Sequence, residues 1–338
     1  MPNGNITSAK ILADSIVEWE NIETSDNVKK IYTSIKNNLS QKEILQLIHL
    51  LQENSTPSSS RLTTMQVEFP RYLLPELNTH RAFSRNSASS RARPFSLTMK
   101  DVMERPFIPN RWMKTHKGMQ GSEYFTLPKE IAILNNIYLE GRDKIVECAK
   151  KLNDMGVSKQ HTNRLLEPYL MHSVLITATD WENFFALRAN ESAEIYIQDL
   201  AYTMMQAYNG SIPKNLKGGE WHIPFSDFMD IERIKTMLKD GETIDSFKIK
   251  IATARAARLS YTNFGDESKY NYQKDVELHD RLVDEGHWSP LEHSARAMNE
   301  QEIIVNGGYS GNFRGFVQYR KMFGDSENRK DKRIVQKN

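Results

Sequence analysis

The chain has 338 residues, of which 39% are hydrophobic and 26% charged, a composition that excludes an intrinsically disordered protein and allows one or two domains. Its formal charge of +2 provides no whole-protein field for nonspecific binding to nucleic acid or to a membrane surface. A single cysteine excludes a disulfide framework and multi-cysteine zinc sites. Because no apolar run reaches membrane-spanning length and the start does not resemble a signal peptide, we expect a soluble, intracellular and cytoplasmic protein.

Apolar periodicity predicts a strand followed by several amphipathic helices. Alternating Met65, Val67 and Phe69 indicate a strand between residues 62 and 77, and the nearby prolines, Pro70 and Pro75, favour either an edge position in its sheet or an early end of the strand. Apolar residues at helical spacing predict helices at residues 129–154, 190–208 and 272–285. In the first of these helices Cys148 falls on the apolar stripe, so we expect a core residue rather than a nucleophile.

Glycines and a proline at residues 217–224 mark the best boundary between two parts of the chain, residues 1–216 and 217–338. The two parts show a faint internal similarity. Residues 41–60 and 273–292 each read as a helix followed by a polar turn with proline at the same offset. This similarity favours a partial duplication, and the alternative is two unrelated helix-turn units.

The segment most suggestive of chemistry is residues 78–94, which combine four arginines with a histidine and several serines. With almost no apolar residue, it is expected to be neither a strand nor a core helix. Fixed cations and hydroxyl donors can hold a phosphate and orient a polar ring beside it. The alternatives are a mobile surface loop or a basic patch for nucleic acid, but the regular spacing of polar residues between Arg81 and Arg91 favours a ligand-binding loop.

This loop resembles the signature of the flavin-dependent thymidylate synthases, in which Arg-His-Arg is followed by Ser, Asn, Ser and Arg at fixed offsets. The matching residues are His80, Arg81, Ser84, Asn86, Ser89 and Arg91. Thr79 replaces the first arginine of the triplet, and Ser87 stands where the family usually has an acidic residue. Residues 183–190 resemble the family's Asn-Phe-Leu-x-Leu-Arg-x-Asp block, in which Arg188 matches the arginine that holds the uracil ring.

Two more motifs of that family occur near the C-terminus. Residues 256–261 resemble its Ala-Arg-Val-Ser-Tyr strand, and residues 286–293 closely resemble its His-x-Ser/Thr-Pro-Phe-Glu-His turn, which lines the flavin site. The corresponding positions near Asn54 lack the flavin-binding histidine and glutamate. Each part of the chain therefore carries motifs that the other lacks. Without companion cysteines, the histidines and the glutamate of the turn do not predict a metal site.

The resemblance implies an α/β (α+β) fold, a mixed sheet flanked by long helices with a second partial copy at the C-terminus, assembled as a homodimer or homotetramer. It implies transfer of a one-carbon unit from methylenetetrahydrofolate to C5 of dUMP, giving dTMP, with FAD as hydride carrier and NADPH as reductant. Arg188 is the implied catalytic residue. The implied dUMP-binding residues are Glu76, Ser87, Ser89, Ser90, Arg91, Arg164 and Arg188. The implied FAD-binding residues are His80, Arg81, Asn183, Ser260, His287, Ser289 and Glu292.

Two alternative functions remain open from the sequence. The same scaffold is compatible with hydroxymethylation of dUMP or with another pyrimidine nucleotide as substrate, because Glu76, Thr79 and Ser87 differ from the family pattern. The other alternative is a non-catalytic protein that binds nucleotides or single strands through the loop arginines. Nucleic acid is the less favoured partner, since only Phe83 and Phe95 lie near the loop for base stacking.

Overall fold

The computed structural model describes residues 8–18, 59–118, 121–259 and 271–324. The strands are β1 Ser8–Glu18, β2 Ser59–Pro70, β3 Ser84–Ser87, β4 Met171–Ala178, β5 Lys214–Asn215, β6 Trp221–His222, β7 Ala295–Ala297, β8 Tyr309–Ser310, β9 Phe313–Arg314 and β10 Phe316–Gln318. The helices are α1 Leu74–Leu77, α2 Phe95–Glu104, α3 Pro128–Asp154, α4 Lys159–Leu166, α5 Glu182–Arg188, α6 Ile195–Gly210, α7 Ile231–Lys235, α8 Ile244–Ala257, α9 Tyr272–Asp284 and α10 Glu300–Asn306. Within these ranges no helix has the length and apolarity that crossing a membrane requires.

A mixed sheet with the strand order β3-β4-β2-β1-β5 forms the centre of the fold. Strand β2 pairs antiparallel with both β1 and β4, and β1 pairs parallel with β5. The predicted mixed α/β architecture is therefore confirmed. Of the two possibilities that the prolines left open for the strand observed as β2, the edge position is wrong and the early end is confirmed. Pro70 is the last residue of β2, so its missing N–H interrupts no pairing inside the strand.

One face of the sheet packs on helices α5 and α6. Strand alternation directs Met65 and Val67 of β2 and Ile176 of β4 to this face, where all three are fully buried. Helix α6 covers them with Ile197 and Met204, which lie on its buried side. Because helix α5 joins the same core, its position relative to the sheet is fixed by apolar packing.

The opposite face of the sheet is covered by the C-terminal part of the chain. Leu175 of β4 packs in a cluster with Phe225 and Ile251, and Leu62 of β2 packs in another with Phe316. A second sheet, in the order β10-β7-β6, lies in this covering layer. The strands of the central sheet all precede the predicted boundary at residues 217–224, and the part of the chain after the boundary covers one face of that sheet.

A buried polar layer joins the C-terminal part to the sheet. Thr64 Oγ1 lies 2.8 Å from both Thr177 Oγ1 and His222 Nε2. Thr177 Oγ1 also lies 2.8 Å from His293 Nδ1. Burial lowers the pKa of both His222 and His293 to about 3, so both imidazoles are neutral at physiological pH.

We expect stability to fall as the pH is lowered from 7 to 5. Burial, followed by the charges of Arg71 and Arg93, also lowers the pKa of His172 to about 3, from an ordinary value of 6.5. In the unfolded chain these histidines bind protons below pH 6.5, whereas in the folded chain they do not, which favours unfolding. At pH 5 each buried histidine is expected to lower the free energy of unfolding by about 2 kcal/mol.

Urea unfolding at pH 7 and pH 5 measures this difference. His222→Gln, which removes a buried titrating group, should reduce the pH dependence even if the variant is less stable. Gln301→Ala, at an exposed position without a titratable group, is the control for the substitution itself and should leave the pH dependence unchanged. Equal unfolding free energies of the wild type at the two pH values would contradict the expectation.

Three local features differ from the sequence-based predictions. The helix predicted at residues 129–154 is confirmed as α3, but Cys148 is exposed, because Ala149 beside it is the residue that this helix buries. The strand predicted at residues 256–261 is wrong for the part that the structure describes, residues 256–259, since α8 continues to Ala257. The loop at residues 78–94 contains a short strand, β3, which pairs with β4 as the edge of the sheet. Residues 41–58 of the internal similarity lie outside the described residues.

Candidate functional site

The guanidinium group of Arg188 lies at the centre of a polar cluster formed by α1, the loop after it and the end of α5. Its Nη1 donates a hydrogen bond to Glu76 Oε2 at 3.1 Å, and its Nη2 donates to Thr79 Oγ1 at 3.3 Å. Its Nε donates to His80 Nε2 at 3.1 Å. These partners fix the plane of the guanidinium, while 22% of the side chain remains exposed for contact with a ligand.

His80 is buried and held as a neutral acceptor. Its ring stacks on Phe83 and meets the edge of Phe184 at a centroid distance of 4.9 Å. Burial lowers the pKa of His80, and the positive charges of Arg188 and Arg85 lower it further. A neutral imidazole agrees with the hydrogen bond that its Nε2 accepts from Arg188.

A cavity of about 210 Å³ opens beside this cluster. Its polar and apolar lining includes His80, Arg81, Asp180, Asn183, Leu187 and Arg188. Asn183 and Leu187 are four residues apart on α5 and therefore lie on the same face of that helix, while Phe184 is anchored in the core. The structure thus brings the predicted flavin residues His80, Arg81 and Asn183 to the same cavity as the predicted catalytic residue.

The serines and arginines after β3 form a second polar surface. Ser89 and Arg91 are exposed, and Ser90 is half-buried. Among the described residues, the guanidinium groups of Arg81 and Arg91 form no salt bridge. Exposed cations without a carboxylate partner, next to hydroxyl groups, are suited to bind a phosphate.

This loop is held in place by hydrogen bonds from residues that the sequence did not indicate as functional. Asn163 Nδ2 donates to Ser90 O at 2.8 Å and to Arg93 O at 2.9 Å. Ser90 Oγ donates to Glu167, and Arg71 Nη1 donates to Ala88 O at 3.1 Å. These partners are distant in sequence, so no spacing pattern could have identified them. The predicted Arg164 is exposed on α4, next to Asn163.

The C-terminal turn at Ser289–Glu292 contacts β3 of the same chain. Ser289 Oγ donates to Asn86 Oδ1 at 3.1 Å, and Asn86 Nδ2 donates to Ala256 O at 2.5 Å. Gln318 Nε2, at the end of β10, donates to Ser84 Oγ at 2.9 Å. Two residues of the family-like loop, Asn86 and Ser84, are therefore bonded directly to the part of the chain that carries the family-like turn.

The remaining predicted residues have different environments. His287 is exposed, and its Nε2 lies 3.2 Å from Glu285 Oε2 rather than beside the loop. Glu292 forms a salt bridge with Arg320. Ser87 ends β3 and is half-buried, and Ser260 lies outside the described residues. Among the described residues no three histidine, cysteine or acidic side chains converge as metal ligands.

Comparison with known proteins relates this geometry to a family. The model of the Thy1 family, described as thymidylate synthase complementing protein, matches residues 9–214. Similar solved structures include a UMP/dUMP methylase, PolB, from Streptomyces cacaoi. Bound with 5-Br UMP, it has 16% identity and a TM-score of 0.41, covering 60% of this chain and 89% of its own. Bound with 5-Br dUMP, it has 15% identity and a TM-score of 0.42, covering 60% of this chain and 90% of its own. No curated protein matches the chain.

Proposed function

Because the chain belongs to the Thy1 family of thymidylate synthase complementing proteins and is a thymidylate synthase-like methyltransferase, we propose that it transfers a one-carbon unit from methylenetetrahydrofolate to C5 of dUMP, giving dTMP. FAD and NADPH are the proposed cofactor and reductant. The observation that carries the proposal is the arrangement of Arg188, held by Glu76, Thr79 and His80, at a cavity that adjoins an arginine-containing loop.

The residues at the cavity fit a flavin nucleotide. Arg81, which has no salt bridge among the described residues, offers a charge for the pyrophosphate, and Asn183 offers an amide for the polar edge of a ring. His80 is neutral and its Nε2 accepts from Arg188, so its Nδ1–H is the group left to donate a hydrogen bond without introducing charge beside the ring. When bound, FAD supplies the hydride chemistry that no side chain can provide.

We assign further flavin contacts to the C-terminal part of the chain. The proposed residues are Ser260, His287, Ser289 and Glu292. Support comes from the hydrogen bond between Ser289 and Asn86, which joins the C-terminal turn to the loop within one chain. On this proposal, one site is formed by surfaces of a single chain. In a shorter relative, the same surfaces would come from two copies of the chain.

The nucleotide is proposed to bind between the loop and Arg188. Ser89, Ser90 and Arg91 would hold its phosphate, with Arg164 and Ser87 at the margin. Arg188, oriented by Glu76, would donate to a pyrimidine carbonyl and stabilise the negative charge that develops as C5 becomes nucleophilic. Because the guanidinium is already oriented before the nucleotide binds, less of the binding energy is lost in ordering it.

The contacts of Arg188 with Glu76 and Thr79 support a second candidate product, hydroxymethyl dUMP. Glu76 and Thr79 both contact Arg188, so two groups that can bind water lie beside the proposed pyrimidine position. Water captured by a methylene intermediate would give hydroxymethyl dUMP instead of dTMP. The single-strand-binding alternative is disfavoured, because Phe83 is buried and cannot stack on a base.

The mass of the nucleotide product tests this function. The purified protein is incubated without oxygen with dUMP, methylenetetrahydrofolate, FAD and NADPH, and a reaction without methylenetetrahydrofolate is the control. The proposal expects a product heavier than dUMP by one methyl substitution. A hydroxymethyl product would support the second candidate, and unchanged dUMP would contradict both.

We also propose a homodimer or homotetramer, supported by an exposed apolar surface on α3. Ile133 and Ile137, one helical turn apart, are each 59% exposed. The double variant Ile133→Glu/Ile137→Glu is expected to lower the mass measured by sedimentation equilibrium, and Lys144→Glu on the same helix is the matched control. A monomeric wild type, or an unchanged mass of the double variant, would contradict the role of this surface.

A further inference from the structure

A hairpin formed by β8 and β9 lies beside the cavity, although its residues fall outside the family match at 9–214. The backbone N–H of Arg314 donates to Thr179 Oγ1 at 3.1 Å, and its Nη2 lies 2.8 Å from Asp180 Oδ1. Asn312 Nδ2 donates to Arg81 O at 3.5 Å. The hairpin therefore contacts two residues that line the cavity, Asp180 and Arg81, and the edge formed by these two residues is the rim of the cavity.

The packing of the hairpin fixes where the side chain of Arg314 is directed. Phe313 and Phe316, on either side of it, are fully buried in one cluster with Leu62. The N–H of Gly315 donates to Gly308 O at 2.7 Å, and Gly315 has a φ of 70°, a conformation that favours glycine. Arg314 is consequently held at the rim by its neighbours, independently of its ion pair.

The guanidinium of Arg314 has capacity beyond its contact with Asp180. Its side chain is 43% exposed, its Cζ lies 5.3 Å from the centroid of the Tyr309 ring, and its Nε is buried, so only the terminal Nη groups can reach a ligand. A guanidinium carries five N–H donors, of which an ion pair of this kind occupies one or two. At the rim, the guanidinium of Arg314 therefore lies beside the carboxylate of Asp180, and Arg81 lines the same cavity.

We propose that Arg314 is a binding residue for the pyrophosphate of FAD. A pyrophosphate suits a site that offers more than one guanidinium group, since its oxygens accept several charge-assisted hydrogen bonds at once. The phosphate of dUMP is assigned to Ser89, Ser90 and Arg91, which leaves the arginines at the cavity rim for the flavin nucleotide. This inference rests on the proposed function, because it assumes that the cavity binds FAD.

Two variants distinguish ligand binding from a purely structural ion pair. Arg314→Gln removes the cation, and Asp180→Asn breaks the same ion pair but keeps the cation. FAD affinity is measured by quenching of flavin fluorescence, and dUMP affinity by calorimetry. We expect Arg314→Gln to weaken FAD binding by about 10-fold, the effect of one charge-assisted hydrogen bond, and to leave dUMP binding unchanged. Asp180→Asn should bind FAD as tightly as the wild type or more tightly.

The outcomes separate the two proposals. Equal weakening of FAD binding in both variants would show that the ion pair only supports the hairpin and would overturn the role of Arg314. Weakened dUMP binding would assign the arginine to the nucleotide phosphate and would also overturn it. Wild-type FAD affinity in Arg314→Gln overturns this inference alone, whereas a wild type that binds no FAD overturns the proposed function as well. Arg314→Lys, with partly restored affinity and wild-type thermal unfolding, would verify that the loss is electrostatic.

Discussion

Replacing Arg188 by glutamine is expected to lower kcat for dUMP by about 10²- to 10³-fold, the range measured when one donor to a developing negative charge is removed. The side chain is the point at which Glu76, Thr79 and His80 converge. Glutamine can still donate one hydrogen bond but carries no charge. Single-turnover formation of the nucleotide product, measured at saturating dUMP, reports this loss without a contribution from binding.

Two further variants show whether the loss of rate in Arg188→Gln comes from the missing guanidinium. Arg188→Lys keeps the charge but not the planar arrangement of donors, so it should recover only part of the rate. Arg281→Gln, at an exposed position on α9, is the matched control and should retain wild-type activity. If Arg188→Gln folds normally and turns over at the wild-type rate, the assignment of this arginine to the reacting base is wrong.

A chain that ends at residue 216 is expected to lose cooperative folding. The central sheet would then expose the face on which Leu62 and Leu175 lie, and both are fully buried in the complete chain. Thr64 and Thr177 would also lose the imidazoles of His222 and His293 as neighbours. A sheet with one uncovered apolar face is prone to aggregation, so we expect insoluble protein or a broad, non-cooperative thermal transition.

The matched control for this truncation is a chain that ends at residue 324, which retains every described element. It should unfold cooperatively, close to the full-length midpoint. A cooperative transition of the chain that ends at residue 216, at the midpoint of the full-length protein, would show that the C-terminal part contributes nothing to the stability of the sheet.

Local signals predicted the helices well because the ends of a helix are encoded nearby. Helix α3 begins at Pro128 and is followed by Gly156, which has a φ of 85°. The same local reasoning was wrong about Cys148. Periodicity identifies the apolar stripe of a helix, but it does not show which residues of that stripe pack against another element. Local reasoning also left open whether β2 lies at an edge or ends early, since strand order depends on partners that are far away in sequence.

The candidate site could also be predicted from the sequence only in part. The loop at residues 78–94 was visible from composition, and the structure brings His80 and Arg81 to a cavity with Arg188. The residues that hold the loop were not visible, because Asn163 contacts Ser90 across 73 positions of the chain. Such contacts arise from the packing of α4 and leave no spacing pattern. The position of Arg314 at the cavity likewise depends on the burial of its neighbours in the hairpin.

We propose that one chain supplies both the loop with Arg188 and the C-terminal turn to the same site. Ser289 and Asn86, whose side chains lie 3.1 Å apart, join these two regions within the chain. The most direct test co-expresses two inactive variants, Arg188→Gln and Ser289→Ala/Glu292→Gln, and measures dTMP formation by the purified mixed oligomer. If each site is built from a single chain, every site keeps one defect and the mixture stays inactive. Restored activity in the mixture would show that the turn acts on the loop of a neighbouring chain and would contradict the account.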